Sequence, residues 1–547
     1  MKLSIVAFGG LGEIGLNMMA IRWGEEILVV DAGLMFPSDD MPGVDYVIPD
    51  FTFLKENPHR VAGVVLTHAH EDHIGALPYL IKSLNAPVYG TPFTLGMVRS
   101  RLEEHGNLSL ARLTEVKAGS RIAIGPFQVE FIRVSHSVVD GVALAVETPM
   151  GVVIHTGDFK FGQFEEGTDV ARLAYYGQQQ VLALCSDSTN VEKEGYTPSE
   201  LQISRTLTRV AEETRGRIIV SLFASSMVRI QQIVSIAMKL GRKVAFSGRS
   251  IEAGVGIAKS FGQLKIPDGL EIPMARIGRY DPDRLFIITT GSQGEPMSAL
   301  ARMASGTHKQ IQIRPDDTVI LSSKFIPGNE RAITQIIDNL YRRGADVVYE
   351  KISDIHVSGH AFREELKLMI QLTRPRYFIP IHGEYRHLVL HSRLAGEMGI
   401  PPERVLMVEN GQMVEFDEDG GRISERIPTG RILIDGKGIG DVGNSVLKER
   451  RALGQDGLVV VTLGLDEETG TVVHGPEVIS KGFVFEAETG HLIEDAVCVV
   501  LEILDEVSPI LADRAGWLRS KIQSTLKQYF FYTIGRRPVV MAFVIEV

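Results

Sequence analysis

The hydrophobic pattern divides the chain into blocks of different period. The first 33 residues read as apolar runs broken by glycine: "LSIVAF" (3–8), "LNMMAIRW" (16–23) and "ILVVDAG" (27–33), with "GGLGEIG" and "GEE" between them. Short apolar runs between turn signals are strands, and "LNMMAIRW" has neither a cap nor a helical stripe. The predicted unit is an antiparallel meander. Residues 61–67, "VAGVVLT", predict a buried strand that runs into a polar loop, after which "IGALPYLIKSL" (74–84) starts a helix. In the middle of the chain, 215–251 and 318–350 alternate apolar strands with helical runs, the pattern of a small parallel α/β domain. Beyond the glycine-rich "RILIDGKGIGDVG" (431–443), strands over 458–466 and 471–485, amphipathic helices over 494–507 and 512–535, and a closing strand over 538–547 predict a small α+β domain.

Composition narrows the class. A chain of 547 residues has room for several domains. No run approaches the roughly 20 apolar residues that span a bilayer, and "MKLSIVAFGG" reads as a first strand rather than a signal peptide. No membrane partner is expected. Two cysteines, Cys185 and Cys498, argue against a disulfide scaffold and fit a reducing cytoplasm. The net charge of −11, taken alone, disfavours nucleic acid. It describes the whole surface, however, whereas a bound cation or a basic lining sets the field in a cleft.

Gly10, Gly12 and Gly15 spell G-x-G-x-x-G, with Asp31 nineteen residues past Gly12, as in a dinucleotide fingerprint. That fingerprint needs a helix directly after the glycines to take the pyrophosphate. The pattern predicts a strand there, so the nucleotide reading loses its context. The loop after 61–67 carries more chemistry: His68, His70, Asp72 and His73 lie within six residues at the mouth of a buried strand. His68 and His70 can point the same way from extended backbone, while Asp72 and His73 diverge, so one loop can serve two ions. His136, Asp158 and His382 each follow a predicted strand. Together these are five imidazoles and two carboxylates without a thiolate, a donor set that suits zinc.

"HAHEDH", with "DAG" before it and "SH" and "GD" after it, resembles the metallo-β-lactamase superfamily. The resemblance implies an α/β fold, an αββα sandwich with a binuclear site on one edge. It gives one zinc to His68, His70 and His136 and the other to Asp72, His73 and His382, with Asp158 bridging and Asp31 bracing the metal loop. Di-iron relatives generally carry Glu at the position of His70, which favours zinc; manganese is an accepted substitute. The 224 residues from Asp158 to His382 leave room for an inserted domain. "LCSDSTN" (Asp187) and "SDIHVSGHAFREEL" (His356, Val357, Ser358, Gly359, His360) resemble motifs of the β-CASP nucleases, and "GGLGEIGLN", "GSQGEPMSAL", "FIPGNE" and "IHGEYRHL" are similar to the ribonuclease J family. Ser226, where Asn is expected, and Lys324-Phe325 depart from that pattern.

The organisation implied is a metallo-β-lactamase domain over 1–200 and 346–430, a β-CASP domain over 201–345, a linker over 431–455 and a C-terminal α+β assembly domain over 456–547. The implied activity is two-metal hydrolysis of RNA in mRNA decay and rRNA maturation, both 5′-to-3′ exonucleolytic from a 5′-monophosphate end and endonucleolytic. Asp72 and Asp158 would fix the attacking water. His360, kept protonated by Asp187, would protonate the leaving oxygen. Ser225, Ser226, Met227 and residues 356–360 would grip single-stranded RNA, with Arg229 and Arg249 as local positive charge. Weaker carry-overs are a structural calcium near Asp45 and Asp435, a homodimer or homotetramer, and contact with other RNA-decay enzymes. Another superfamily hydrolase and a catalytically inert RNA-binding relative are the competing readings.

Overall fold

The computed structural model describes residues 1–38, 40–162, 167–295, 297–323, 329–349, 357–484, 491–506 and 513–547. They form two compact units, 1–36 with 46–432, and 37–45 with 433–547.

In the larger unit the opening meander forms as the pattern predicts. Leu3–Gly9 pairs antiparallel with Met18–Trp23, and that strand with Glu26–Val30. Val61–Val65 joins parallel beside Glu26–Val30 in a sheet of eight strands. A second sheet has six, in the order Tyr377–Ile381, Val181–Asp187, Gly151–His155, Val142–Thr148, Phe127–Arg133 and Arg121–Ile124. Inward-facing residues of both sheets, among them Ile5, Val30, Val65, Phe131, Leu144, Cys185 and Ile379, share one core. The helices Val170–Gln178, Arg363–Thr373 and Tyr385–Glu397 bury Leu173, Tyr176, Leu366, Met369 and Leu394 against the outer face of the six-stranded sheet. Helix Pro92–Glu104 packs on the edge strands of the other. This is the αββα sandwich.

The inserted domain leaves and re-enters between neighbouring strands. Val181–Asp187 and Tyr377–Ile381 are parallel partners, with Asp187 opposite Ile381. Between them lies a five-stranded parallel sheet in the order Lys243–Ser247, Leu285–Thr289, Ile218–Ser221, Thr318–Leu321 and Asp346–Val348. That pairing brings His382 back to the edge where Asp158 and Asp187 lie.

Two segments differ from the pattern. The helix expected from residue 74 begins at Glu71, as Glu71–Ile74, and a second turn follows at Leu77–Ile81. His70 is the extended residue before it, and two acids in its first turn suit the positive end of the helix. The segment read as a linker contains a strand, Arg431–Asp435, and a helix, Asn444–Asp456. In the smaller unit, strands Val472–Lys481, Leu458–Leu465 and Val539–Glu546 form a sheet in that order, with helices Leu492–Asp505 and Arg514–Ile534 sharing its core. Among the described residues no helix is long and apolar enough to cross a membrane.

Candidate metal centre and its catalytic pair

Four of the expected metal ligands sit just past a strand end, and His70, Asp72 and His73 lie further along, at the start of and within the short helix Glu71–Ile74. His68, His136 and Asp158 each follow a strand by three residues, and His382 directly follows Tyr377–Ile381. The donor atoms gather into two overlapping groups, His68–His70–His136–Asp158 and Asp72–His73–Asp158–His382, each within 4.8 Å. In the first group Nδ1 of His70 lies 3.0 Å from Nε2 of His68 and 3.2 Å from Nε2 of His136.

The protein fixes which nitrogens face inward. His136 Nδ1 donates to the carbonyl of Gly359 at 2.8 Å, so its Nε2 presents a lone pair. Thr67 Oγ1 donates to Asp31, and its oxygen accepts from His68 Nδ1 at 3.0 Å. His73 Nδ1 donates to Asp31 at 2.7 Å. Asp31 therefore orients both imidazoles and also accepts from the Thr67 amide. Burial, more than neighbouring histidines, pushes His68 and His136 well below the usual imidazole range and His70 down to about 4. Converging neutral nitrogens with no proton between them fit a bound cation. Asp158 offers one oxygen to each group: Oδ2 is 3.5 Å from His68 Nε2, and Oδ1 is 3.4 Å from His73 Nε2 and 2.6 Å from His382 Nδ1. One carboxylate thus belongs to both groups.

Asp187 and His360 stand beside this carboxylate. His360 Nδ1 is 2.8 Å from Asp187 Oδ2 and 3.9 Å from Asp158 Oδ2. The other Asp187 oxygen accepts from the amide and hydroxyl of Thr189, so the carboxylate is held in place. Burial alone would lower the His360 pKa, but Asp187 and Asp158 outweigh it and raise it to about 9. The ring is a fifth exposed, whereas Asp187 is buried, so the imidazole faces the opening.

Comparison with known proteins finds matches along most of the chain. Residues 12–197 match the metallo-β-lactamase superfamily, 215–340 the β-CASP domain of ribonuclease J, 344–405 a zinc-dependent metallo-hydrolase RNA specificity domain, and 445–547 the ribonuclease J C-terminal domain. The chain is 40% identical to ribonuclease J2 of Bacillus subtilis and 39% identical to ribonuclease J 1 of Streptococcus pyogenes, covering all of this chain and 99% and 98% of theirs. A solved Enterococcus faecalis protein of unknown function shares the fold at 16% identity, with a TM-score of 0.52 over 79% of this chain and all of the other.

The chain belongs to the ribonuclease J family. As a ribonuclease J it carries the domains of a metal-dependent ribonuclease and a metal-binding donor set. Part of the glycine-rich opening stretch lines the site. Gly10, Gly12 and Gly15 all have positive φ, and Gly9, Gly10 and Leu11 line a cavity with Asn17, Asp31, His73, His155, Asp158 and His382.

Other expected residues are placed unevenly. Ser358 accepts from Asn190 Nδ2 at 2.6 Å through its hydroxyl and from Lys160 Nζ at 3.2 Å through its carbonyl, which anchors the loop bearing His360. Gly359 lies against His136, and Val357 is buried. His356, Lys324 and Phe325 lie outside the described residues. Ser225 and Ser226 precede helix Met227–Lys239 and are half-buried, but the Met227 side chain is in the core and unavailable for contact. Arg229 also departs from expectation. It is buried against Glu200 and Ser322, while Arg249 is exposed. At the expected calcium position Asp435 is ion-paired to Arg450, and Asp45 accepts from the Gly436 amide. Among the described residues no group of three ligands gathers there. Asn17, Lys160, Asn190 and Thr67 were not singled out from the sequence, because amides and hydroxyls at strand ends carry no spacing signal of their own.

Proposed function

We propose that this ribonuclease J uses two zinc ions, with manganese as an accepted substitute, to hydrolyse single-stranded RNA. It acts 5′-to-3′ from a 5′-monophosphate end and also cleaves internally, serving mRNA decay and rRNA maturation in the cytoplasm. His68, His70 and His136 would hold one ion, Asp72, His73 and His382 the other, and Asp158 both. The ions, when bound, supply charge for the phosphate and lower the pKa of water. The remaining steps belong to the chain. Asp72 and Asp158 orient the reacting centre, and the 3′ oxygen leaves with a proton from His360. Nδ1 of His360 is engaged by Asp187 at 2.8 Å, which leaves Nε2–H as the donor. Ser225, Ser226 and the loop at Ser358 would grip the RNA backbone.

The observation that carries this reading is the Asp187–His360 pair beside the bridging carboxylate, because a phosphodiester needs an acid at its leaving oxygen as well as ions at its phosphate. The test is digestion of one RNA bearing a 5′-monophosphate or a 5′-triphosphate. The monophosphate form should be degraded to nucleotides from its 5′ end and the triphosphate form cut only internally. Inertness toward both by zinc-loaded protein would overturn the proposal. Assembly into a dimer or tetramer through the C-terminal unit is part of the same proposal.

A further inference from the structure

The second ion position has a contact that lies outside the seven-ligand set. Asn17 is buried at the end of the glycine-rich turn, and its Nδ2 lies 3.3 Å from Asp72 Oδ2 and 3.1 Å from His73 Nε2. The Asn17 amide donates to Asp72 Oδ2, an oxygen with a lone pair to spare for an ion, and lies beside His73, whose Nδ1 is committed to Asp31. Asp72 Oδ2 and His73 Nε2 are the two atoms that face the second position. Asp72 Oδ2 is also 3.6 Å from His382 Nε2.

The backbone of Asn17 ties the same elements together. Its N–H donates to the Asp72 carbonyl at 3.1 Å, and its carbonyl accepts from Gly33 at 2.9 Å. A Cβ at Gly33 would lie 1.6 Å from the Asp72 carbonyl oxygen, so this approach requires glycine. A Cβ at Gly10 would lie 2.5 Å from Asn17 Oδ1, so the first glycine of the turn leaves room for the amide. Asp72 is the most exposed acid of the set, with a side chain 29% accessible. A carboxylate at that depth is free to rotate toward solvent unless something holds it. Among the described residues the His68–His70–His136 group has no side-chain amide beside it, and its outer contacts run to Thr67, Ser137 and Gly359.

We propose that Asn17 is a positioning residue: its amide holds Asp72 turned toward His73 and His382, and so sets the affinity of the second ion position without touching the first. This rests on the two-ion reading above. An outer partner of a metal ligand is worth about 10- to 100-fold in affinity when lost.

The test is stepwise zinc titration of the metal-free full-length protein against a chromogenic chelator, with bound metal counted by mass spectrometry. Asn17→Ala keeps the backbone bonds of residue 17 and removes only the amide. It should bind the first ion as the wild type does and the second about 10- to 100-fold more weakly. Asn17→Ser, too short to reach Asp72, should behave the same and decides the matter if Asn17→Ala does not accumulate folded. Asn107→Ala is the control for a merely structural asparagine. Asn107 is equally buried but donates to the Pro78 carbonyl, so its loss should lower the Tm and leave both steps alone. Unchanged second-step affinity in the Asn17 variants, or equal weakening of both steps, would overturn the proposal. A wild-type protein that binds a single ion overturns the two-ion reading first, and is recognised without any variant.

Discussion

At the scale of single residues the site works by giving each ligand one nitrogen or oxygen to use. Asp31 engages His73 and Thr67, Thr67 engages His68, and Gly359 engages His136. Gly359 does this with no space for a side chain: a Cβ there would meet His136 Cε1 at 2.4 Å. His360→Ala should lower kcat about 10²- to 10⁴-fold, the range for removing a general acid, with zinc content unchanged. Because Asp187 acts through His360, adding Asp187→Asn to that variant should cost little more. A double-mutant cycle measures this, and additive losses would mean that Asp187 has a separate role. The seven candidate metal donors, which the structure brings together, were legible in the sequence because histidines clustered at a strand's mouth have few other uses, and the Asp187–His360 pair was legible only through the family resemblance. Asn17 was not, because its role depends on a backbone approach to Asp72 that spacing does not encode. The G-x-G-x-x-G pattern misdirects for the same reason. Gly10 and Gly15 answer a steric demand that comes here from Asn17 and Leu34 rather than from a pyrophosphate, and Gly12 answers only a positive φ.

At the scale of elements, the link between the sandwich and the inserted domain is a buried ionic hub. Glu200, the first residue of helix Glu200–Glu213, takes Lys160 Nζ at 3.3 Å and Arg229 Nη2 at 2.8 Å. Lys160 follows the Asp158 loop, and Arg229 belongs to helix Met227–Lys239 and also donates to Ser322 at 2.7 Å. Sequence reading assigned Arg229 to the RNA surface because an arginine beside a substrate segment reads the same whether it turns out or in. Glu200→Gln removes the carboxylate that pairs with two buried cations, which costs about 3–5 kcal/mol. Denaturant unfolding should show that loss, and a change under about 1 kcal/mol would mean that the hub is screened like a surface pair. Burial would raise the Glu200 pKa, but Arg229 and Lys160 outweigh it and lower it from 4.5 to about 2. A depressed folded-state pKa stabilises above the unfolded value and loses that contribution as pH falls through the folded one. The gap between wild type and Glu200→Gln should therefore be widest above pH 4.5 and close as pH falls toward 2. A constant gap would assign the loss to packing.

At the scale of the molecule, what the pattern predicted best was the alternation of strands and helices in each block, and what it could not supply was the face each block leaves uncovered. The C-terminal sheet shows the difference. Along Val539–Glu546 the side chains alternate, with Val540, Ala542 and Val544 packed under the helices. Met541, Phe543 and Ile545 point the other way and are 42%, 47% and 59% exposed, and Ile479 of a second strand is 44% exposed. The strand also lies at the sheet edge. An apolar face next to an open edge calls for a partner, and a second copy of the chain would cover both by meeting the same patch about a two-fold axis. Phe543→Asp places a charge at the centre of that face without disturbing the core beneath it. Sedimentation velocity across a concentration series should show the wild type as a dimer or tetramer and the variant shifted to a smaller species. The variant's unfolding free energy at low concentration should stay within about 0.5 kcal/mol of wild type, as for an exposed substitution. A variant that sediments with the wild type would place the interface elsewhere, and a wild type that is monomeric at every concentration would leave the face to a different partner.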